Sequence, residues 1–279
     1  MEYDFKVKFE EKFASVLSCA YIGEVAPLCD AMRYASFSGG KRLRPQCVML
    51  GAEFALGRTL NEMEYELVLE LGVCIELIHT YSLVHDDLPS MDNDDFRRGR
   101  PTVHKKFGEN FAILAGDALL NLAYERLFAL IKGEKLLQIT QAAEIIAKNA
   151  GVLGMVKGQC LDLNSNFGSV EELLEVNRFK TGCLFKASFL SGAVSMNAKM
   201  EELEALDNYA ENLGAAFQII DDLLDLEKGE NSIVKMAGEE RAKKLAKEFT
   251  DRAIFALSNF EEKNSELKKF ANKLFERTQ

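Results

Sequence analysis

Two stretches of the chain set pairs of aspartates beside aliphatic residues, and arginines follow the first at once. Ser82–Arg100 reads SLVHDDLPSMDNDDFRRGR, so five carboxylates precede three guanidinium groups. Mg²⁺ is usually held by one or two carboxylates together with phosphate oxygens, and guanidinium groups bind phosphates bidentately. The stretch therefore predicts a metal–diphosphate site, although a solvated acidic helix end before a basic loop has the same composition.

The second stretch, Phe217–Asp225, reads FQIIDDLLD and strengthens the metal interpretation. On a helix, Asp221 and Asp225 lie on one face, where two like charges cost about 0.2–0.5 kcal/mol. Their neighbours are apolar, so these carboxylates are expected at the edge of a core. A repelling pair beside a core that occurs twice in one chain favours shared cations over chance.

A basic turn supplies a third candidate site. Ser38–Pro45 reads SGGKRLRP, in which two glycines let the backbone approach a ligand closely and are followed by Lys41, Arg42 and Arg44. Such a turn is either an anion site or a common basic surface loop. The two aspartate stretches favour the anion site, because a metal-bound diphosphate needs positive partners.

The elements that must position these residues are helices. Apolar residues recur at spacings of three and four almost everywhere, which predicts an all-α chain. No linker rich in Gly, Pro or Ser divides it, so residues 1–279 are predicted to form a single domain. The predicted helices lie near residues 2–19, 24–37, 46–56, 61–88, 109–132, 134–150, 170–195, 199–227, 236–259 and 261–276.

The predicted helix before the first aspartate stretch delivers Asp86 at its C-terminal end. Pro89 removes a backbone donor and is expected to end this helix, so Asp92 must reach back from the loop. Tyr81 and Ser82 precede Asp86 by about one turn. An apolar chain attached to a phosphate at Asp86 would run past them.

Short polar groups also occur among otherwise apolar residues. A buried polar side chain needs a partner, so each group either orients a nearby ligand or is a hydrogen-bonded part of the core. The groups are Gly116-Asp117, Gly158-Gln159 with Asp162, and Lys180-Thr181-Gly182.

The composition limits the class of protein. Apolar residues make up 48% of the 279 residues and charged residues 28%, as in a soluble globular protein. The net charge of −10 argues against a nucleic-acid surface. No apolar run reaches the roughly 20 residues that span a bilayer, and the N-terminus lacks the pattern of a signal peptide. We expect a cytoplasmic protein whose six cysteines are buried free thiols.

Taken together, these residues resemble the short-chain trans-polyprenyl diphosphate synthases, in particular the bacterial farnesyl diphosphate synthase (geranyltranstransferase) type. The matching pieces occur in the family's order and run from residue 39 to residue 225. They are GGKRLRP (39–45), HDDLPSMDNDDFRRG (85–99), GQCLDL (158–163), KTG (180–182) and FQIIDDLLD (217–225).

The resemblance implies a helical bundle of the isoprenoid synthase type around a deep apolar pocket, usually as a homodimer, with about three Mg²⁺ per site. It implies metal binding by Asp86, Asp92, Asp221 and Asp225. The implied catalytic residues are Asp86, Asp87, Asp92, Lys180, Asp221 and Asp222. Isopentenyl diphosphate would be bound by Gly40, Lys41, Arg44, His79 and Arg98. The allylic substrate would be bound by Arg97, Lys180, Thr181, Phe217 and Gln218, with Lys235 as a further substrate contact.

The chemistry implied by the resemblance is prenyl transfer. Metal ions and cationic side chains take up charge on a departing diphosphate, and the isopentenyl double bond attacks the allylic cation in a dry apolar pocket. One departure from the family is the segment after Asp225, LEKGENSIVKMAGEE, which lacks the usual Gly-Lys pair. Lys228 or Lys235 would have to replace that pair.

Other functions remain open at this point. A terpene cyclase uses a similar aspartate-rich helix but has little need for a second diphosphate site at GGKRLRP. A non-catalytic subunit of a prenyl synthase would usually have lost an aspartate motif. Tyr81 and Ser82 are the candidate floor of the pocket and favour farnesyl diphosphate as product, with geranyl or geranylgeranyl diphosphate as alternatives.

Overall fold

The computed structural model is almost entirely helical, which confirms the predicted all-α chain. It describes residues 2–18, 25–133, 135–164, 167–224 and 232–278. The chain divides into two compact units, Met1–Gln46 with Met63–Leu136, and Cys47–Glu62 with Leu137–Gln279. The predicted single domain with a central pocket stays a prediction.

The N-terminal half of the chain contains six of the described helices and one small hairpin. The elements are α1 (Glu2–Val16), α2 (Ala26–Ser36), α3 (Leu43–Leu56), α4 (Glu62–Asp86), β1 (Phe96–Arg97), β2 (Arg100–Pro101), α5 (Val103–Phe107) and α6 (Glu109–Leu130).

In the first unit, α4 is the central helix. By length and composition alone it is apolar enough to cross a membrane, but 72% of its most apolar window is buried inside the protein, as expected of a core helix. Phe5, Phe9 and Phe13 on α1 are fully buried, and neighbouring rings of this row lie 6.3 and 5.5 Å apart. Burying each of these rings contributes about 1.5–3 kcal/mol. Phe5 meets Tyr65 edge-on at 5.8 Å, and Phe9 lies beside Gly72, so α1 packs on the N-terminal half of α4.

The C-terminal half continues with helices alone in its described part. They are α7 (Leu136–Ala150), α8 (Met155–Asn164), α9 (Val170–Asn177), a π-helix (Arg178–Gly182), α10 (Cys183–Ser195), α11 (Met200–Leu224), α12 (Ile233–Ala237), α13 (Glu239–Ala256), a 3₁₀ turn (Ser258–Phe260), α14 (Ser265–Phe275) and a 3₁₀ turn (Glu276–Thr278).

In the second unit, α3 and α10 approach each other through glycines. A Cβ on Gly51 would lie 2.1 Å from the carbonyl oxygen of Phe189, and a Cβ on Gly192 would lie 2.0 Å from that of Val48. The side chains of α10 are buried along nearly its whole length. This dense packing supports α11, which carries the second aspartate stretch and packs on α10, α13 and α14.

Most predicted helices are present, with ends shifted by a few residues. The exceptions are short: the hairpin and helices α5, α8 and α12 were not predicted, and the predicted helix 170–195 contains the π-helix. Of the cysteines predicted to be buried, Cys29, Cys47 and Cys74 are, whereas Cys160 is exposed and Cys183 is half-buried. Cys19 lies outside the described residues.

Candidate active site

In the basic turn between α2 and α3, one of the three basic side chains, that of Arg42, points into the core. Gly39 and Gly40 have φ of +96° and +138°, which glycine adopts readily, and Arg42 has a positive φ of 51°. Arg42 is only 5% exposed, whereas Lys41 is exposed and Arg44 is half-buried. The turn therefore presents Lys41 more openly than its two basic neighbours.

Arg42 is held by three partners in the first unit. Its Nε and Nη1 donate to Glu10 Oε1 and Glu76 Oε1, each at 2.8 Å, and its Nη2 donates to the carbonyl oxygen of Ser36 at 2.7 Å. Burial lowers the pKa of Arg42, but the hydrogen bonds and charges of the two glutamates outweigh it and raise the pKa above its ordinary value. Arg42 thus fixes the turn from inside.

The hairpin β1–β2 brings Arg98 to the same turn. Arg97 pairs with Arg100, and the two residues between them, Arg98 and Gly99, have φ of +54° and +74°, as in a type I′ turn. Arg98 Nη1 donates to the carbonyl oxygen of Gly39. A Cβ on Gly40 would lie 2.9 Å from that nitrogen, so the missing side chain of Gly40 makes room for Arg98.

His79, on α4, lies among these cations. Burial lowers the pKa of its imidazole well below the ordinary value, and the charges of four arginines lower it further. They are Arg44, Arg98, Arg97 and Arg42. His79 is therefore neutral at physiological pH, and positive charge converges on it.

The first aspartate stretch folds back on the end of α4 as predicted. The helix ends at Asp86, and the backbone N–H of Asp92 donates to the carbonyl oxygen of Asp86 at 2.9 Å. Asn93, with φ of +53°, donates its N–H to the carbonyl oxygen of Leu88 at 3.1 Å. Asp86 is half-buried and Asp92 exposed, so two carboxylates are displayed on one tight turn.

Asp87 has a different environment from Asp86. It is 3% exposed, and Arg97 donates to its Oδ1 from Nε at 2.7 Å and from Nη2 at 2.6 Å. Burial raises the pKa of Asp87 in spite of this arginine. The predicted supporting role of Asp87 is consistent with this contact. The structure shows the Arg97 guanidinium bound to Asp87, not to a ligand. The predicted contact of Arg97 with a diphosphate therefore stays a prediction.

Tyr81 and Ser82 precede this turn on α4. Burial, followed by the charges of Tyr124 and Asp86, raises the pKa of Tyr81 to about 12. The Tyr81 ring meets that of His85 edge-on at 5.8 Å. Ser82 Oγ donates to the carbonyl oxygen of His79 at 3.0 Å. Their predicted role in limiting product length stays a prediction.

In the second unit, Asp222 of the second aspartate stretch accepts the last of a series of side-chain hydrogen bonds. Thr181 Oγ1 donates to Gln218 Oε1 at 3.0 Å, and Gln218 Nε2 donates to Asp222 Oδ1 at 3.2 Å. The N–H of Ile233 donates to Asp222 Oδ2 at 2.9 Å, which places the start of α12 beside α11. Burial nevertheless raises the pKa of Asp222. Phe217 packs against Phe185, with ring centroids 4.8 Å apart.

Lys180 lies in the π-helix, a rare element that is frequent at functional sites. Its Nζ donates to Asp162 Oδ2 at 2.6 Å. A Cβ on Gly158 would lie 2.1 Å from the backbone nitrogen of Lys180, so only glycine lets α8 approach this closely. Lys180 and Thr181, both predicted to bind the allylic substrate, are thus adjacent to Gln218 and Asp162.

Asp221 has a partner that the sequence did not suggest. Arg277 Nη2 donates to Asp221 Oδ1 at 3.3 Å from the last described turn of the chain. Nothing in the local sequence marks Arg277, because the contact joins residues far apart. Asp225 and Lys228 lie outside the described residues. Lys235 is exposed on α12.

The comparison with protein families decides the assignment. The polyprenyl synthetase family model matches residues 25–279. The chain belongs to the polyprenyl synthetase family. This confirms the predicted resemblance and, at the level of the family, the prediction of a prenyl transferase.

Similar proteins of known sequence or structure differ in their products. This chain is 42% identical to the farnesyl diphosphate synthase of Geobacillus stearothermophilus over 242 residues, which cover 85% of this chain and 78% of that one. It is 40% identical to geranylgeranyl pyrophosphate synthase 4 of Arabidopsis thaliana over 250 residues. That match covers 86% of this chain but 64% of the relative, so the chain spans less than two thirds of that relative's length.

A solved structure supports the fold over the whole chain. The match to the geranyltransferase of Helicobacter pylori, in complex with magnesium and isoprenyl diphosphate, covers 99% of this chain and 98% of that one. The TM-score is 0.81 at 29% sequence identity. The isoprenoid synthase fold is thereby confirmed.

The aspartate carboxylates of this chain suit magnesium, the metal in the Helicobacter pylori structure. Within the described ranges, no three His, Cys, Asp or Glu side chains form a ready metal site. Mg²⁺ does not need one, because it usually takes one or two carboxylates and completes its shell with phosphate oxygens and water. The adjacent Asp86 and Asp92, and separately Asp221, supply carboxylates of this kind.

Proposed function

We propose that this chain joins isopentenyl diphosphate to dimethylallyl or geranyl diphosphate and releases farnesyl diphosphate. The observation that carries the proposal is the contact of Arg98 with the carbonyl oxygen of Gly39, which brings this arginine to the turn that bears Lys41 and Arg44. Carboxylates with Mg²⁺ account for one diphosphate, but a prenyl transferase must also bind a second. The cations of this turn, Lys41, Arg44 and Arg98, would supply that second place.

Four aspartates would hold the metal: Asp86, Asp92, Asp221 and Asp225. When bound, Mg²⁺ neutralises charge on the diphosphate and so makes it a better leaving group. Lys180 and Arg97 would bind the allylic diphosphate, as the family resemblance implies. The allylic carbon–oxygen bond breaks, and its electron pair leaves on the diphosphate.

The apolar residues direct the second half of the reaction. The π electrons of isopentenyl diphosphate form the new carbon–carbon bond, and a proton is then lost to the released diphosphate, which restores a double bond. Phe217 presents a ring face that stabilises the cation. Tyr81 and Ser82 lie one turn before Asp86, so we propose that they limit the product to fifteen carbons. We also propose a homodimer, as the family resemblance implies, and a cytoplasmic location, as the sequence composition favours.

The test uses the purified protein with labelled isopentenyl diphosphate, an allylic diphosphate and Mg²⁺. Chromatography of the dephosphorylated products should show farnesol. Asp86→Ala and Asp221→Ala should each lower kcat/KM by about 100-fold or more, and a chelator should stop turnover. Asp30→Ala, at an exposed aspartate of α2, is the matched control and should retain activity.

Three other outcomes identify the competing functions. Hydrocarbon products without uptake of isopentenyl diphosphate would indicate a terpene cyclase. No product from this protein alone, with substrate binding intact, would indicate a non-catalytic subunit. Geranyl or geranylgeranyl products would confirm a prenyl transferase but contradict farnesyl diphosphate as its product.

A further inference from the structure

The side chain of Gln159, on α8 of the second unit, has no hydrogen-bond partner. Its Nε2 and its Oε1 are both buried. Among the described residues with buried unpartnered atoms, it is the one in which both polar atoms of the side chain lack a partner. Buried amides are rarely left in this state, and where they are, a ligand, a water or a catalytic role usually explains it.

The surroundings of Gln159 point to a ligand. Gly158, the preceding residue, contacts the backbone of Lys180, and Asp162, one turn later on α8, accepts from the Lys180 side chain at 2.6 Å. Residues 159 and 162 are neighbours on a helix surface. Gln159 therefore flanks the contact between α8 and the π-helix that carries Lys180 and Thr181.

The neighbouring polar groups already use each other. Lys180 pairs with Asp162, Thr181 with Gln218, and Gln218 with Asp222. Beside these paired side chains, the Gln159 amide has no partner, although it can both donate and accept a hydrogen bond. A bound group that offers an acceptor and a positive centre would use both of its atoms.

We propose that Gln159 contacts the allylic substrate as its carbon–oxygen bond breaks. Nε2 donates to an oxygen of the departing diphosphate, and Oε1 faces the positive charge that develops on the allylic carbon. Because that charge is absent in the bound substrate, the second contact is made fully only in the transition state. This inference rests on the proposed function.

Gln159→Met tests the assignment, because methionine keeps the length of the side chain and removes both polar atoms. In the unliganded protein the Tm should stay the same or rise, since two unsatisfied polar atoms are no longer buried. kcat should fall by about 10- to 100-fold, with a smaller change in KM. Binding of inorganic pyrophosphate with Mg²⁺, measured by calorimetry, should weaken by about tenfold.

Gln138→Met is the matched control. Gln138 lies on α7, and its Oε1 is also buried without a partner. The same substitution there should leave kcat and pyrophosphate binding unchanged. This comparison separates the removal of a buried polar atom from the loss of a substrate contact.

Other results would overturn the inference. If the wild type makes prenyl products and Gln159→Met keeps its kcat and its affinity for pyrophosphate, Gln159 has a structural role or holds a water. A lower Tm with unchanged kinetics would lead to the same conclusion. If the wild type makes no prenyl product at all, the proposed function fails first, and that result is seen without any variant.

Discussion

Arg277 donates from Nη2 to Asp221 Oδ1 across 3.3 Å, so the C-terminal turn of the second unit supplies a cation to the second aspartate motif. Both side chains are partly exposed, at 24% and 42%. A metal ion that approaches Asp221 must share this carboxylate with the guanidinium or displace it.

Arg277→Gln is expected to tighten binding of Mg²⁺ alone by about 1.4- to fivefold, because a competing cation worth about 0.2–1 kcal/mol is removed. Isothermal titration without diphosphate measures this. Arg252→Gln removes the same charge from an exposed position on α13 and should have no effect. Weaker metal binding by Arg277→Gln would mean that the arginine positions Asp221 and does not compete for it.

His79 predicts a pH dependence of stability. Its pKa is lowered in the folded protein by burial and by the surrounding arginines, whereas the unfolded chain binds this proton at about pH 6.5. The stability associated with neutral His79 is therefore fully present above about pH 6.5 and is lost as the pH falls below it. As the pH falls below this value, the free energy of unfolding should decrease less for His79→Gln than for the wild type. The difference between the two slopes should reach up to about 1.4 kcal/mol per pH unit. Urea denaturation of both proteins between about pH 7.5 and pH 5.5 measures this difference, and parallel curves would contradict it.

Gly158→Ala is expected to disturb the π-helix. The new Cβ would meet the backbone nitrogen of Lys180 at 2.1 Å, and backbone cannot move aside cheaply. We expect a loss of about 1–3 kcal/mol in the free energy of unfolding, together with a lower kcat/KM for the allylic substrate. Gly168→Ala is the control, because the nearest atom to its Cβ lies 3.7 Å away. Equal effects of the two substitutions would contradict the prediction.

Tyr81 and Ser82 predict the length of the product. Tyr81→Ala should open space and yield longer prenyl chains, whereas Ser82→Phe should fill it and yield shorter ones. Removing a buried aromatic side chain costs about 3–5 kcal/mol, so thermal melts must first establish that Tyr81→Ala is folded at the assay temperature. Chromatography of the products then decides. An unchanged product spectrum in two folded variants would remove both residues from this role.

The local parts of this molecule could be predicted from the sequence. The end of α4 at Asp86 follows from Pro89, which lacks a donor, and the return of Asp92 follows from the short loop between them. The helices follow from their apolar spacing. Each of these features depends on residues close together in the chain, where sequence patterns are informative.

The remaining parts depend on contacts between distant residues. No periodicity links Arg277 to Asp221, or Gly158 to Lys180, since such pairs are set only by how helices pack. The hairpin that carries Arg98 is too short to show an alternating pattern, although an Arg-Gly pair at its tip is compatible with a tight turn. Arg42 was grouped with its basic neighbours because sequence does not reveal which side chain turns inward.

Arg42 has a consequence for the first helix, which itself carries no chemistry. One of the two carboxylates that neutralise its buried charge belongs to Glu10 on α1, and such a charge is strongly destabilising once a partner is lost. The turn that bears Lys41 is thus tied to α1. Deleting α1 would therefore disturb the turn where isopentenyl diphosphate is expected to bind, although α1 itself carries no residue assigned to substrate or metal.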